Sequence, residues 1–378
     1  MIYLDNAATS YPKPQNVLNA VKNAVEGQYG NPGRSGHAFS KRSAEAVFSA
    51  REQIALLLGL KKSENVVFTG GATAALNVAI LGTVSALSKR TPVPRVVSSV
   101  FEHNSVLRPL FFLEKKGLIR LTLLSPDRDG GLPLARLLSS PPQLLVLTLR
   151  SNLTGRSFDT KFLSRLLAPY GTVILADGAQ AVGGAGASFR ESGAHILCAP
   201  GHKGLLGIMG GGLIAFSEDC PLLPDAVFTG GSGSDTFNPE MPSFLPERLE
   251  AGTLPVPAII SMGEGARFLQ SQKLESITAR ERALKKRLLS GLAAMKKYTL
   301  YEPWFEDGPL LINHKRLPSE KAAESLAEKG LMLRGGFHCA PLAHRWLGTE
   351  EHGALRLSPG PFTTAHQIDR ALNLLESL

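Results

Sequence analysis

The sequence predicts an α/β protein in two parts: a large part on a mainly parallel sheet, then a smaller α+β part at the C-terminal end. Three observations carry this expectation. Short apolar runs alternate with helix-length segments between residues 66 and 216, the pattern that builds parallel sheets covered by helices. After about residue 255 the pattern changes, and Pro255-Val-Pro opens a long helical stretch. Finally, 378 residues with 43% hydrophobic and 19% charged side chains can bury a large core and are too apolar for disorder.

Val66-Val-Phe-Thr reads as the first strand of the large part, followed by a helix from Ala72 to Ser88. Arg95-Val-Val-Ser-Ser and a helix from Ser105 to Lys116 come next, then Leu144-Leu-Val-Leu-Thr-Leu and a helix from Thr160 to Tyr170. Thr172-Val-Ile-Leu-Ala, Ile196-Leu-Cys-Ala and Gly212-Leu-Ile-Ala-Phe complete the strands, and Pro141-Pro142 reads as a loop. The helical stretch opened by Pro255 runs to about Lys297. In the smaller part, Leu310-Leu-Ile-Asn and Ala354-Leu-Arg-Leu are strands, and Ser319 to Lys329 and Thr364 to Leu375 are helices. Pro318-Ser319 and Thr363-Thr364 offer each helix a hydroxyl cap.

Several function classes are excluded at this level. The net charge of +9 is spread over separated pairs such as Lys61-Lys62 and Lys296-Lys297, which read as solvated helix faces and not as a nucleic-acid surface. Three cysteines (Cys198, Cys220, Cys339) form no disulfide framework. The start, Met1-Ile-Tyr-Leu-Asp, lacks the basic and apolar regions of a secretory signal, and the apolar runs are strand-sized. A cytoplasmic protein that binds no membrane and no metal is expected.

Two strand ends carry the chemistry. Val173-Ile-Leu delivers Asp177, and Ala199-Pro-Gly-His-Lys delivers Lys203 before the glycine run Gly210-Gly-Gly. A lysine amine able to form a Schiff base and a carboxylate able to keep a pyridine nitrogen protonated are what pyridoxal phosphate requires. Ligands gather at the carboxyl ends of such strands, where Asn152 also falls. Thr69-Gly-Gly-Ala72-Thr73 opens a helix whose exposed amides, with the Thr73 hydroxyl, can cradle a phosphate. His103 follows another strand and can stack on a flat ring. Asn152 and Gln180 can bond a ring oxygen; taken singly, both read equally as turn residues.

Tyr3-Leu-Asp-Asn-Ala-Ala-Thr, Gly71-Ala-Thr-Ala-Ala-Leu-Asn, Glu102-His103-Asn104, Asp177-Gly-Ala-Gln180, Gly201-His-Lys203 and Glu250-Ala-Gly-Thr253 occur in this order. The chain thereby resembles, over its whole length, the class V (fold-type I) pyridoxal-phosphate enzymes, specifically the cysteine desulfurase and selenocysteine lyase family. That resemblance implies a large cofactor-binding domain over residues 15–255 with a seven-stranded, mainly parallel sheet. It implies a small domain over 1–14 and 256–378 carrying the catalytic cysteine. Lys203 would be the catalytic Schiff-base lysine, Asp177 the partner of the ring nitrogen, Gln180 and Asn152 contacts of the ring oxygen, and His103 both the stacked ring and the catalytic group that returns a proton. Ala72, Thr73 and His202 would hold the phosphate, and Thr253 would reach the phosphate of the partner subunit in a homodimer with shared sites. Where relatives commonly place a serine or threonine three residues before the lysine, this chain has Pro200, which offers neither hydroxyl nor amide hydrogen.

Leu333-Arg-Gly-Gly-Phe-His-Cys-Ala-Pro-Leu resembles the Arg-x-Gly-His-His-Cys segment of the group II desulfurases, with Cys339 as the sulfur-accepting nucleophile and Phe337 in place of the first histidine. Arg334, His338 and His344 are expected to favour its thiolate; the alternative is an inert buried thiol. Cys198 and Cys220 read as structural. Arg356 matches the arginine that grips the substrate carboxylate, while Ser358-Pro-Gly-Pro-Phe stands where relatives often carry a Tyr-Asn pair. Asn6, Arg334 and His37, the last within Arg34-Ser-Gly-His, match substrate-side positions, or dimer contacts. The implied reaction converts L-cysteine to L-alanine and a persulfide on Cys339, for delivery to an acceptor protein. Selenocysteine lyase and class V aminotransferase chemistry remain open alternatives.

Overall fold

The computed structural model describes all residues except 34–35, 128–129 and 185–187. The chain begins with β1 (Ile2–Tyr3), α1 (Gln15–Glu26), α2 (Ala38–Leu58), β2 (Val66–Thr69) and α3 (Ala72–Ser88). It continues through β3 (Arg95–Ser99), α4 (Asn104–Lys115), β4 (Arg120–Leu124), α5 (Leu134–Leu138), β5 (Leu144–Thr148) and α6 (Thr160–Leu167). Next come β6 (Val173–Asp177), α7 (Phe189–Ser192), β7 (Ile196–Pro200), β8 (Gly212–Phe216), α8 (Val256–Ser271) and α9 (Leu274–Ala294). The C-terminal part is β9 (Tyr298–Tyr301), β10 (Leu310–His314), α10 (Ser319–Glu328), β11 (Leu331–Met332), α11 (Pro341–Leu347), β12 (Leu355–Leu357) and α12 (Ala365–Glu376).

Among the described residues the main sheet has seven strands in the order β2-β8-β7-β6-β5-β3-β4. Neighbours pair in parallel from β7 across to β4, and β8 runs antiparallel to both of its neighbours. The expected mainly parallel sheet is therefore present. Its central strands are unbroken apolar runs because both faces are covered. In β5, Leu145 and Leu147 enter one core with Ile54 of α2 and Ile259 of α8, while Leu144 and Val146 enter the other with Ile80 of α3 and Leu110 of α4. This is the period-two alternation of a pleated strand.

A third core lies under a three-stranded antiparallel sheet, β12-β10-β9, and a two-stranded one, β1-β11. Ile2 pairs with Leu331 and Tyr3 with Met332, so the first residues of the chain belong to the fold of its last third. The helical stretch after Pro255 is two helices. Lys273 sits between them at φ +57°; α8 buries Ile259 and Met262 with the large sheet, and α9, after Ile277 in that same core, buries Leu284, Leu288 and Leu292 with the small ones. Thr364 caps α12 in a reciprocal capping box with Gln367. The cap expected from Ser319 is absent, because its hydroxyl donates to the His352 carbonyl at 2.6 Å instead.

Candidate active site

The strand order reverses direction at β3, whose neighbours are β4 on one side and β5 on the other. At the carboxyl ends of these strands a crevice opens, as expected for an open α/β sheet. A cavity of about 260 Å³ there is lined by His103 beyond β3, Thr148 and Asn152 at and beyond β5, Asp177 ending β6, and Lys203 beyond β7. The register places Thr148 beside Asp177 and Asp177 beside Cys198. Ala72, Thr73, Gln180, His202 and Pro200 are also in the wall. The structure thus gathers into one cavity every cofactor residue expected from the sequence except Thr253.

One end of the cavity suits a phosphate. Gly71, the N-cap of α3, has φ +137°, and no atom lies within 4 Å of the place a Cβ would take. The first amides of the helix and the Thr73 hydroxyl therefore face open space, as an anion requires. His202 Nδ1 is buried without a hydrogen-bond partner, and Pro200 adds no donor. On the far side of Lys203, a Cβ on Gly204 would stand 2.0 Å from the Val182 carbonyl oxygen, so only glycine lets the two strand-end loops touch.

Lys203 and Asp177 meet the electrostatic requirements of the cofactor. Burial, with Arg356 and Arg334, pushes the Lys203 amine down from 10.5 to about 8 against the opposing pull of Asp177, which makes the free amine accessible near neutral pH. Burial pushes the Asp177 carboxyl up, while the Ala179 N–H at 2.9 Å and Lys203 pull it back. A buried carboxylate of this kind gains from a cation placed against it. The orphaned imidazole nitrogen, the open glycine cradle and this carboxylate together fit pyridoxal phosphate.

Glu102, quoted in a sequence motif but given no role, is fully buried beside this group. Ser99 Oγ donates to its Oε1 at 2.5 Å, and Oε2 has no partner. Burial raises its carboxyl from 4.5 to about 8, with Asp177 adding to the rise. The folded chain therefore holds a proton that the unfolded chain releases, so this contribution to stability is complete below about pH 4.5 and lost as pH rises through about 8. Glu102→Gln is expected to flatten the fall in melting temperature between about pH 4.5 and 8. Parallel decline of variant and wild type would rule the idea out.

His103 is the N-cap of α4. The Ser105 N–H donates to its Nδ1 at 3.0 Å, and the Ser105 hydroxyl stands 2.8 Å from the same atom. Nδ1 is thus an acceptor and the proton sits on Nε2. Burial and the cations Lys203 and Arg356 push the ring down to about 4, so it is neutral.

Cys339 is exposed, Cys198 buried and Cys220 half-buried, which separates the accessible thiol from two structural ones. Its turn is unusual: His338 and Cys339 have φ of +51° and +56°, conformations that L-residues avoid. His338 and His344, expected beside the thiol, bring no positive charge to it. His338 and His344 stack at 5.7 Å, and burial pushes them to about 2 and about 4. Both are neutral at physiological pH, and His344 Nδ1 is spent on Thr349 Oγ1 at 2.7 Å. Arg334 is the remaining expected cation, and it pairs with Asp5 at 3.1 Å.

Arg356 is buried, with Nη2 on Asp5 at 2.9 Å and Nη1 on the Asn152 carbonyl at 3.1 Å. Its Nε is buried without a partner. Asp5 thus occupies part of the fork that sequence reasoning reserved for a substrate carboxylate. Only the closed fold brings residue 5 to residue 356, through the bridge from Asp5 to Ser358. Asn6 donates to the Ser358 carbonyl at 3.0 Å and lines, with Lys203 and Gln180, a second cavity of about 100 Å³ next to the first. The Gln180 side chain donates to the Ala7 carbonyl at 2.9 Å. Arg156 pairs with Glu302 and lies about 5 Å from the rings of Phe101, Phe305 and Trp346, fastening α11 to the large sheet.

Asn6, His37, Thr253, Arg334, Cys339 and Arg356, all expected at the site, do not line the first cavity. His37 caps α2, its Nδ1 accepting from the Ser40 N–H at 3.3 Å, and the neighbouring Arg34 and Ser35 lie outside the described residues. Thr253 is exposed and does not line the cavity of its own chain.

Residues 2–371 match the family model described as Aminotransferase class-V. Cysteine desulfurase IscS of Klebsiella pneumoniae (strain 342) is 29% identical, over 100% of this chain and 92% of the relative. The protein of the same name from Salmonella schwarzengrund (strain CVM19633) is 28% identical, over 99% and 91%. Among solved structures, the apo cysteine desulfurase of Thermococcus onnurineus NA1 aligns with a TM-score of 0.89 at 25% identity, covering 100% of this chain and 94% of that one. The cysteine desulfurase CsdA (S-sulfonic acid) of Escherichia coli aligns at 0.86 and 25%, covering 99% and 94%.

Proposed function

Because the chain belongs to the aminotransferase class-V family, whose chemistry rests on pyridoxal phosphate, we propose that it is a cysteine desulfurase. It takes L-cysteine to L-alanine and leaves the sulfur as a persulfide on Cys339. The observation that carries this reading is an accessible cysteine whose backbone is hydrogen-bonded to the residue after His103, at the edge of a cavity holding Lys203 and Asp177.

When bound, pyridoxal phosphate supplies an electron sink for negative charge at the substrate α-carbon. Asp177 would keep positive charge on its ring nitrogen. Thr73, His202 and the α3 amides would hold its phosphate, and Asn152 and Gln180 would bond its ring oxygen. Arg356 takes the substrate carboxylate through its unpartnered Nε, with Asn6, Arg334 and His37 proposed on the substrate side. Lys203 anchors the cofactor and then moves the α-proton, a task suited to an amine lowered to about 8. His103, a neutral ring with its proton on Nε2, would stack on the cofactor and return a proton to the carbon skeleton. Cys339 thiolate attacks the substrate sulfur: the S–S bond forms and the bond from sulfur to the β-carbon breaks. The electron pair stays on the carbon skeleton, which leaves, once protonated, as L-alanine.

We assign residues 15–255 to a large domain, and 1–14 with 256–378 to a small one. The pairing of β1 with β11 supports the second grouping; α8, which begins at Val256 just past the boundary, packs in the large core. A homodimer is part of the proposal. Thr253 is exposed away from its own cavity, and the segment before it exposes Phe228, Phe237 and Phe244. An acceptor protein then removes the persulfide from the exposed Cys339, in the cytoplasm. Among the described residues no helix is long and apolar enough to cross a membrane, and no cluster of metal-ligating side chains is present.

The test is L-alanine release from L-cysteine by holoprotein with a reducing thiol present, compared with Lys203→Ala. Equal yields of alanine and sulfide that vanish in the variant are expected. Turnover of a 2-oxo acid in place of sulfur release would replace this reading with transamination, and exclusive turnover of L-selenocysteine would redirect it to selenium.

A further inference from the structure

Asn152 lines the cofactor cavity, yet its side-chain amide reaches toward the cysteine. Nδ2 donates to the His338 carbonyl at 2.8 Å in a buried bond. The Asn104 N–H, first in α4, donates to the next carbonyl, that of Cys339, also at 2.8 Å. Two successive carbonyls of the cysteine-bearing turn are thus held, one by Asn152 of the cavity wall and one by Asn104, which lies between the wall residues His103 and Ser105. Asn152 is itself held from behind, its own carbonyl accepting from Arg356 Nη1 at 3.1 Å. The turn needs such support, because two consecutive L-residues sit in the left-handed region, a conformation that persists only when its surroundings over-determine it. Its own bond, Ala340 N–H to the Phe337 carbonyl at 3.1 Å, closes the turn. The residues leading into it are tied toward β12 by the Ala354 N–H to the Gly336 carbonyl at 3.0 Å and by the Arg334–Arg356 bridge.

We propose that Asn152 is a positioning residue for Cys339: through the His338 carbonyl its amide fixes the turn that carries the thiol and ties it to the cofactor cavity. An asparagine amide has two hydrogens, so one serves the turn while the other remains for a ligand. The consequence for catalysis rests on Cys339 being the sulfur acceptor. The tie does not.

The test uses full-length protein, with and without pyridoxal phosphate, and reads the alkylation rate of Cys339 by iodoacetamide. Cys198 is buried and the half-buried Cys220 thiol is pushed up to about 11, so the probe is selective. Asn152→Ala removes the amide; Asn152→Asp keeps its shape and turns an acceptor toward the carbonyl. Both variants are expected to speed alkylation about three- to tenfold, the scale of one buried hydrogen bond. Both are expected to quicken deuterium exchange at the Asn104 amide, while alanine formation from L-cysteine falls. A thiol that becomes more reactive to a small probe and less useful to the substrate is the mark of lost positioning. Unchanged alkylation and exchange in both variants would overturn the proposal. An aspartate variant matching wild type while alanine differs would also overturn it, since volume and not donation would then hold the turn. If both variants shift alkylation but the wild type makes no alanine from cysteine, the functional reading fails and the tie stands.

Discussion

Cys339→Ala is expected to lower alanine formation from L-cysteine by on the order of 10³-fold or more, while the absorbance of bound pyridoxal phosphate is retained. The two readouts part because Cys339 does not line the cofactor cavity, whereas Lys203 does. Cys339→Ser should behave in the same way, because a hydroxyl cannot take up sulfur as a persulfide. The turn also fixes what such a thiol depends on. Its neighbours His338 and His344 are neutral, so mutating them should act through the shape of the turn, without removing a nearby positive charge. Alanine release that survives in Cys339→Ala would mean that sulfur leaves the substrate without this thiol. The enzyme would then be a lyase of another kind.

Arg51→Met is expected to cost about 3–5 kcal/mol of stability, the penalty for stranding a buried charge. Arg51 of α2 pairs with Glu250 through two bonds of 2.7 and 3.0 Å, and both side chains are buried. The guanidinium also donates to the Val66 carbonyl and lies 4.5 Å from the centre of the Phe68 ring. Glu250 accepts from the Phe68 N–H at 2.6 Å. The pair therefore fastens the Glu250-Ala-Gly-Thr253 segment to β2, the strand that leads into the phosphate-end turn. Adding Glu250→Gln to Arg51→Met should recover part of the loss, because no unpaired charge then remains buried. Chemical denaturation, followed by circular dichroism, measures both. A single variant within about 1 kcal/mol of wild type would show the pair to be dispensable.

The fold was legible where a segment carries its own signal. Val66–Thr69, Leu144–Thr148 and Ile196–Pro200 are apolar because both their faces are covered, and that run is visible without knowing what covers them. The helices α1 and α2 were missed: α1 buries only Val17 and Ala24, and the partner of both helices is α8, some 200 residues further on. The break between α8 and α9 was also missed. Nothing in the local pattern distinguishes a helix serving one core from two helices serving two.

The same division runs through the site. Lys203, Asp177, His103 and Asn152 could be read from the chain because each follows an apolar strand by a few residues, and a parallel sheet brings all such positions to one edge. Charge and hydrogen bonding could not be read in this way. That Asp5 shares Arg356 and that Asn152 holds the His338 carbonyl depend on partners far apart in the chain, and that the histidines near Cys339 are neutral depends on burial. A residue's identity says which protons it can carry. How much water the fold leaves around it, and which distant charge it meets there, says which ones it does.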